Sequence, residues 1–319
     1  MNWFEQSRLF ELARQGKRLT HILAVIPLAF IFAFLAEFGS LPVLVVLLVQ
    51  YGLSEDLLSM SGLPVTASGL WMGLFLISAF FLMYVFVAAW VWLYERRPIR
   101  SLGYEWPGAL LRYTRGFLLG LFMLSAAVGI QAALGGVFME AGDPSRQGSA
   151  AIAGVLIVLG GWIVQGGAEE VLARGWVLPV IGARYRPWLG LLVSSLVFAA
   201  LHTLNDNLSV LAMLNLALFG LFAALYATRE GSLWGISAFH SAWNWAQGNL
   251  FGFEVSGMNT GGGTILNFGS IGPLWLTGGP FGPEGGLAVT AVLLLGIFVV
   301  LFWQTSHKSF GKLLPDKAQ

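Results

Sequence analysis

Cysteine is absent from the 319 residues, and Lys, Arg, Asp and Glu together make up only 10% of them. Without a thiol the chain has no disulfide framework, no thiolate nucleophile and no Cys-based zinc or iron–sulfur site. With 17 Lys and Arg against 16 Asp and Glu, the net charge is +1, and no polybasic block or tail appears. Nucleic-acid binding is therefore excluded as a reading. There is no internal repeat of the kind that builds transporter halves, and no long polar linker to divide domains. What is abundant is apolar surface: 57% of the residues are hydrophobic and the mean hydropathy is +0.76. The chain reads as one all-α, polytopic membrane helical bundle.

Apolar runs of about 20 residues lie near 21–50, 66–94, 115–138, 151–182, 187–204, 208–228, 232–250 and 285–305, which predicts about eight transmembrane helices. The first run is overlong and broken by "EFGSLP", so Glu37 marks a kink or a polar face turned toward the bundle. Residues 1–20, "MNWFEQSRLFELARQGKRLT", form a charged amphipathic segment without a small-residue cleavage site, so no removed signal peptide is expected. Residues 21–305 form a single membrane domain and 306–319 a tail.

Every second loop is basic. Arg8, Arg14, Lys17 and Arg18 precede the first span; Arg96, Arg97, Arg100, Arg112 and Arg115 join the second to the third. Arg184 and Arg186 follow the fourth, Arg229 the sixth, and Lys308, Lys312 and Lys317 the eighth. The positive-inside rule puts these stretches and both termini in the cytoplasm, which suits an integral protein of a bacterial inner membrane.

Polar groups inside such a bundle are functional candidates, because an unpaired charge in hydrocarbon is costly. His21 and His307 sit at span ends and read as interfacial. His202 and His240 lie inside apolar runs, where "FAALH" (198–202) puts Phe198 and His202 on one helical face and "HSAWN" (240–244) does the same for His240 and Asn244. In "GGAEEVLARGW" (166–176), Glu170 and Arg174 are i and i+4 with the acid first, the favourable order for a helical ion pair. Glu169 points about 100° away. It is placed for a base, since a carboxyl in a low-dielectric cavity holds its proton more tightly. The competing reading is that all three only lock helices together.

Depth favours the functional reading. Glu169 lies 13 residues before Gly182, His202 lies 15 after Pro187 and Asn244 lies 13 after Gly231. At 1.5 Å per residue these are ~20, ~22 and ~20 Å from one predicted face. Packing histidines have no reason to share a height.

E-E-x-x-x-R, F-x-x-x-H and H-x-x-x-N, in this order on successive segments, resemble the motifs of the CPBP family of intramembrane proteases, which includes the type II CAAX prenyl endopeptidases. The matching positions form a motif core over 166–249. "LTGGPFGPEGG" (276–286) is similar to a loop of some bacterial members, and the first three spans match nothing beyond a general membrane pattern. The resemblance implies an endopeptidase without a cofactor, in which Glu169 and His202 activate water while His240 and Asn244 stabilise the oxyanion. Glu170 and Arg174 would support the site and Phe198 would pack its wall. Asn205, Asp206, Asn207 and Asn215 remain unassigned, and the loop carboxylates read as solvated.

The substrate would be a peptide or membrane protein, lipidated or not, met among membrane lipids. Three alternatives compete with this reading: a zinc-dependent version of the same hydrolysis, for which no H-E-x-x-H helix is present, a non-catalytic scaffold or immunity-type protein, and a small-solute transporter, for which the repeat symmetry and discontinuous helix pair are missing. The depth estimate, set against a core of about 30 Å, places the site nearer the face opposite the basic loops. The Gly-rich loop 252–286 would lie on that side, as a cover or as a plain connector.

Overall fold

The computed structural model describes residues 2–52 and 62–302, so His307, the three C-terminal lysines and the tail lie outside the described residues. Two short helices, α1 (Asn2–Glu5) and α2 (Arg8–Ala13), precede the first apolar run. That run forms α3 (Ile22–Glu37) and α4 (Leu41–Tyr51), broken by the 3-10 turn Phe38–Ser40 at "FGS". Then come α5 (Val65–Trp90), α6 (Ala109–Ala133), α7 (Ile152–Glu170), α8 (Leu178–Arg184), α9 (Pro187–Leu201), α10 (Val210–Glu230), α11 (Trp234–Trp245), α12 (Leu274–Thr277) and α13 (Leu287–Phe302). The π-helical turns Val91–Glu95, Val171–Val177 and Ala246–Leu250 extend α5, α7 and α11. Strands β1 (Val137–Met139) and β2 (Phe268–Ser270) pair antiparallel, with Phe138 opposite Gly269.

In hydrocarbon every backbone N–H and C=O must be satisfied within its own segment, which is why the apolar runs resolve into helices. Among the described residues five stretches are long and apolar enough to cross a membrane: Ile22–Tyr51, Val65–Glu95, Ala109–Ala133, Gly148–Arg184 and Val210–Glu230. α9 and α13 are apolar but shorter, and the 15 residues of α9 reach only ~22 Å. The buried share of each span's apolar window rises from 22% in Ile22–Tyr51 to 61% in Val210–Glu230, so the first is peripheral and the last central. Leu23, Val49, Leu110 and Phe122 point outward from the bundle, as lipid-facing side chains do.

Close helix approach rests on small residues. Gly116 and Gly120, spaced G-x-x-x-G on α6, lie against the backbone of Gly235 and Phe239 on α11, where no Cβ fits. On α7, a Cβ at Gly166 would lie 2.8 Å from the amide nitrogen of Ser241, so glycine lets α7 and α11 touch backbone to backbone. That contact sets the spacing of the site.

A buried ionic cluster ties the N-terminal segment to the bundle. Glu95 Oε1 accepts from Thr20 Oγ1 at 2.6 Å and Trp176 Nε1 at 3.1 Å, and Oε2 accepts from Arg97 Nε at 2.8 Å. Arg97 also donates from Nη1 to the Ser101 carbonyl at 3.0 Å and hydroxyl at 2.9 Å. Arg97, read from the sequence as a loop cation, is instead 1% exposed. The preceding Arg96, at φ 53°, turns the chain back so that Arg97 points inward.

Candidate active site

Glu169 and Glu170 end α7, and the π turn Val171–Val177 that follows is a wide turn of the kind enriched at functional sites. Arg174 folds back across it and donates from Nη1 to Glu170 Oε1 at 2.8 Å and from Nη2 to the Gly220 carbonyl on α10 at 3.1 Å. The i, i+4 ion pair read from the sequence is present, with both side chains fully buried. Arg174 also lies 4.4 Å over the Phe198 ring, a cation–π contact.

The two histidines arrive from different helices and converge on Glu169. His202 follows the last residue of α9, and its Nδ1–H donates to the Phe198 carbonyl at 2.8 Å. This fixes Nε2 as the unprotonated nitrogen of the neutral ring, 4.0 Å from Glu169 Oε2. His240 on α11 lies between the two carboxylates: Nδ1 is 2.9 Å from Glu170 Oε1 and Nε2 is 3.7 Å from Glu169 Oε2. Asn244, one turn further along α11, donates to Gln165 Oε1 at 2.9 Å, and Gln165 Nε2 donates to Glu169 Oε1 at 2.7 Å. Glu169 Oε2 itself is buried and accepts from no group among the described residues. The shared layer expected from helical rise is therefore a contact cluster.

Phe198 lines the wall, its ring centroid 4.8 Å from that of His202 and stacked at 5.5 Å on Phe219. The cluster faces a cavity of about 1170 Å³, with an apolar arm past Phe30 and Phe34 on α3 and Phe75 and Phe80 on α5. Glu37, at the break in the first run, also lines it. Among the described residues no group of three or more His, Asp or Glu is arranged to hold a metal ion.

Two participants were missed by the sequence reading. Gln165 had a signal: it precedes Glu169 by four residues, on the same helical face, in an otherwise apolar run. Glu284 had none. Read as a solvated loop carboxylate, it is instead 8% exposed and lines the cavity, because loop 251–286 folds inward. Its Oε2 accepts from Ser256 Oγ at 2.6 Å and its Oε1 from Trp243 Nε1 at 3.3 Å. Burial pushes the Glu284 carboxyl above its ordinary range, against the Ser256 hydrogen bond and the nearby imidazoles of His202 and His240. Asn215 holds this end of the loop, donating to the carbonyls of Glu284 at 2.6 Å and Gly286 at 2.9 Å. Asn205 donates to the Ser256 carbonyl at 3.1 Å, and Asn249 to those of Gly261 and Gly263 at 2.8 and 3.0 Å. Asp206 lines the cavity from its exposed rim.

Comparison with known proteins adds to this geometry. A family model described as type II CAAX prenyl endopeptidase Rce1-like matches residues 150–246, a stretch that includes Gln165, Glu169, Glu170, Arg174, Phe198, His202, His240 and Asn244. The resemblance read from the motifs is borne out. A 67-residue stretch is 43% identical to an Escherichia coli protein described as an uncharacterized 24.3 kDa protein, covering 20% of this chain and 30% of that one. The chain thus matches under a third of that relative's length. No solved structure matches the chain.

Proposed function

We propose, from the match of residues 150–246 to the model described as type II CAAX prenyl endopeptidase Rce1-like, that the chain is an intramembrane endopeptidase that hydrolyses a peptide bond with water activated by Glu169 and His202. One observation carries the proposal: Glu169 Oε2, buried and unbonded, faces the Nε2 atoms of His202 at 4.0 Å and His240 at 3.7 Å beside a cavity of about 1170 Å³.

A water hydrogen-bonded at about 2.8 Å to both Glu169 Oε2 and His202 Nε2 spans such a gap at roughly a right angle. Glu169 takes a proton as the oxygen attacks the carbonyl carbon, and the same carboxyl returns it to the leaving amine. His202 is held by the Phe198 carbonyl with Nε2 as the acceptor, so it directs the lone pair of the attacking water. Asn244 commits one amide hydrogen to Gln165 and presents the other to the developing oxyanion. His240, its Nδ1–H on Glu170, turns Nε2 toward the site; to donate to the oxyanion the ring enters the step already carrying a second proton drawn from bulk water, and the Glu170 carboxylate balances that charge.

Glu169→Gln and His202→Ala should each reduce peptide hydrolysis by folded, purified protein to background. Asn244→Ala should lose about 10²- to 10³-fold in rate, the usual effect of one oxyanion donor. Full activity in Glu169→Gln would sink the mechanism. Metal content and activity after chelator treatment separate it from a zinc-dependent hydrolysis.

A further inference from the structure

Histidines aside, charge in the described part of the cavity wall has one sign. The described residues that line it include four with carboxyl groups, Glu37, Glu169, Asp206 and Glu284, and no Lys or Arg. Arg174, the cation closest to the chemistry in sequence, is fully buried and engaged by Glu170, the Gly220 carbonyl and the Phe198 ring. A peptide ending in a free carboxylate beside its cleaved bond would bring a negative charge to a wall that offers no Lys or Arg among the described residues, only the imidazoles of His202 and His240, which already face Glu169 and Glu170. An ammonium or guanidinium group would find acceptors.

Glu284 is the acceptor best placed for it. The carboxylate offers about four acceptor positions, and the hydrogen bonds from Ser256 and Trp243 occupy two. Trp243 lies on α11 three residues past His240 and one before Asn244, while Asn215 holds the Glu284 backbone from α10. The group is thus fixed relative to the site from two helices.

Resting on the peptidase reading above, we infer that the cavity selects a peptide with a basic side chain or free amino group near the cleaved bond, received by Glu284, over one that ends there in a free carboxylate. The test uses the full-length protein in detergent and fluorescent peptides of one apolar sequence, with Lys, Gln or Glu two residues from the central bond. Each is made with a free or acetylated N-terminus and a free or amidated C-terminus. Binding is read by anisotropy on Glu169→Gln and cleavage on the wild type.

The Lys peptide should bind about tenfold or more tightly than the Gln peptide, the usual effect of a hydrogen bond to a charged group. The Glu peptide should bind weakest, and amidation should strengthen binding. Adding Glu284→Gln should bring the Lys-to-Gln ratio to about one, a ratio within one protein from which any unfolded fraction cancels. A preference carried by the free N-terminus and abolished by acetylation assigns Glu284 to the α-amino group instead of a side chain. Equal binding of the Lys and Gln peptides with either N-terminus, tighter binding of free acids, or no binding at all overturns the inference, whether or not the wild type cleaves. A preference that Glu284→Gln leaves intact overturns the assignment of Glu284. A preference that Glu284→Gln abolishes, in a protein whose wild type cleaves nothing, upholds the charge selectivity and removes the peptidase reading.

Discussion

Glu95 with Arg97 and Glu170 with Arg174 are one chemical arrangement made twice. Each is a glutamate–arginine pair at 2.8 Å with no exposed side-chain surface, and each lies at a π-helical turn. They differ in how the carboxylate is satisfied. Both oxygens of Glu95 are bonded, by Thr20, Trp176 and Arg97 from three stretches of chain. Glu170 places Arg174 and His240 on the same Oε1, and its Oε2 is bonded to nothing among the described residues. Beside it, Glu169 has an unbonded oxygen facing a cavity. Burying an ion pair costs desolvation that its hydrogen bonds must offset. A saturated carboxylate therefore reads as a fastening, and an unsaturated one beside open space reads as chemistry. The ion pair alone marks neither.

The comparison breaks most visibly if both glutamates behave alike. Glu170→Gln removes the charge behind His240, so the rate per folded molecule should fall by on the order of 10²- to 10⁴-fold, the range for a disabled general acid–base group. Glu95→Gln should leave the rate per folded molecule near wild type and lower the melting temperature. Equal rates in the two variants would erase the distinction between the two pairs.

Arginine truncation should give similar stability losses with different activities. Arg97→Ala and Arg174→Ala each strand a buried carboxylate, which typically costs about 3 to 5 kcal/mol, and denaturant unfolding measures it. Folded Arg97→Ala should keep its specific activity and folded Arg174→Ala should not. An active Arg174→Ala would confine Arg174 to packing.

A smaller effect separates Glu284 from both pairs. Burial raises its affinity for a proton above that of the unfolded chain. At low pH both states are protonated and no penalty exists; as pH rises past about 4.3 the unfolded chain ionises first and stability falls until the folded group ionises too. Glu284→Gln should flatten that decline and be relatively more stable at neutral pH than at pH 4, read from melting curves. A parallel pH dependence in wild type and variant would show that its burial carries no cost. Smallest in energy but sharp in outcome is sidedness. The chain has no cysteine, so Gln15→Cys and Ser145→Cys on intact cells can be probed with an impermeant thiol reagent. Label at Ser145→Cys alone is expected; the reverse would put the Glu95 cluster outside and reverse the orientation read from loop charge.

Much of this was legible in the sequence because helical spacing survives folding. The break at "EFGSLP", the pairing of Glu170 with Arg174 and the convergence of Glu169, His202, His240 and Asn244 all follow from period and rise along apolar runs. The rest depended on how chain segments return to the bundle. Arg97 is buried because one left-handed residue, Arg96, reverses the backbone, and charge counting is blind to that reversal. Glu284 is buried because Asn215, 69 residues earlier, captures its carbonyl. The π turns were unreadable since one extra residue in a turn barely disturbs an apolar pattern.

The turn Val171–Val177 carries Arg174 to Glu170 on one side and Trp176 to Glu95 on the other. Thr20, Glu95, Trp176, Arg174 and Glu170 are thus mechanically in series, and the amphipathic N-terminal segment, none of whose described side chains is in the cavity wall, is one end of the linkage that holds His240. For anyone trimming the protein to the core of the proposed site, a cut at the start of the first apolar run removes the Thr20 donor and unloads the turn on which that site is built.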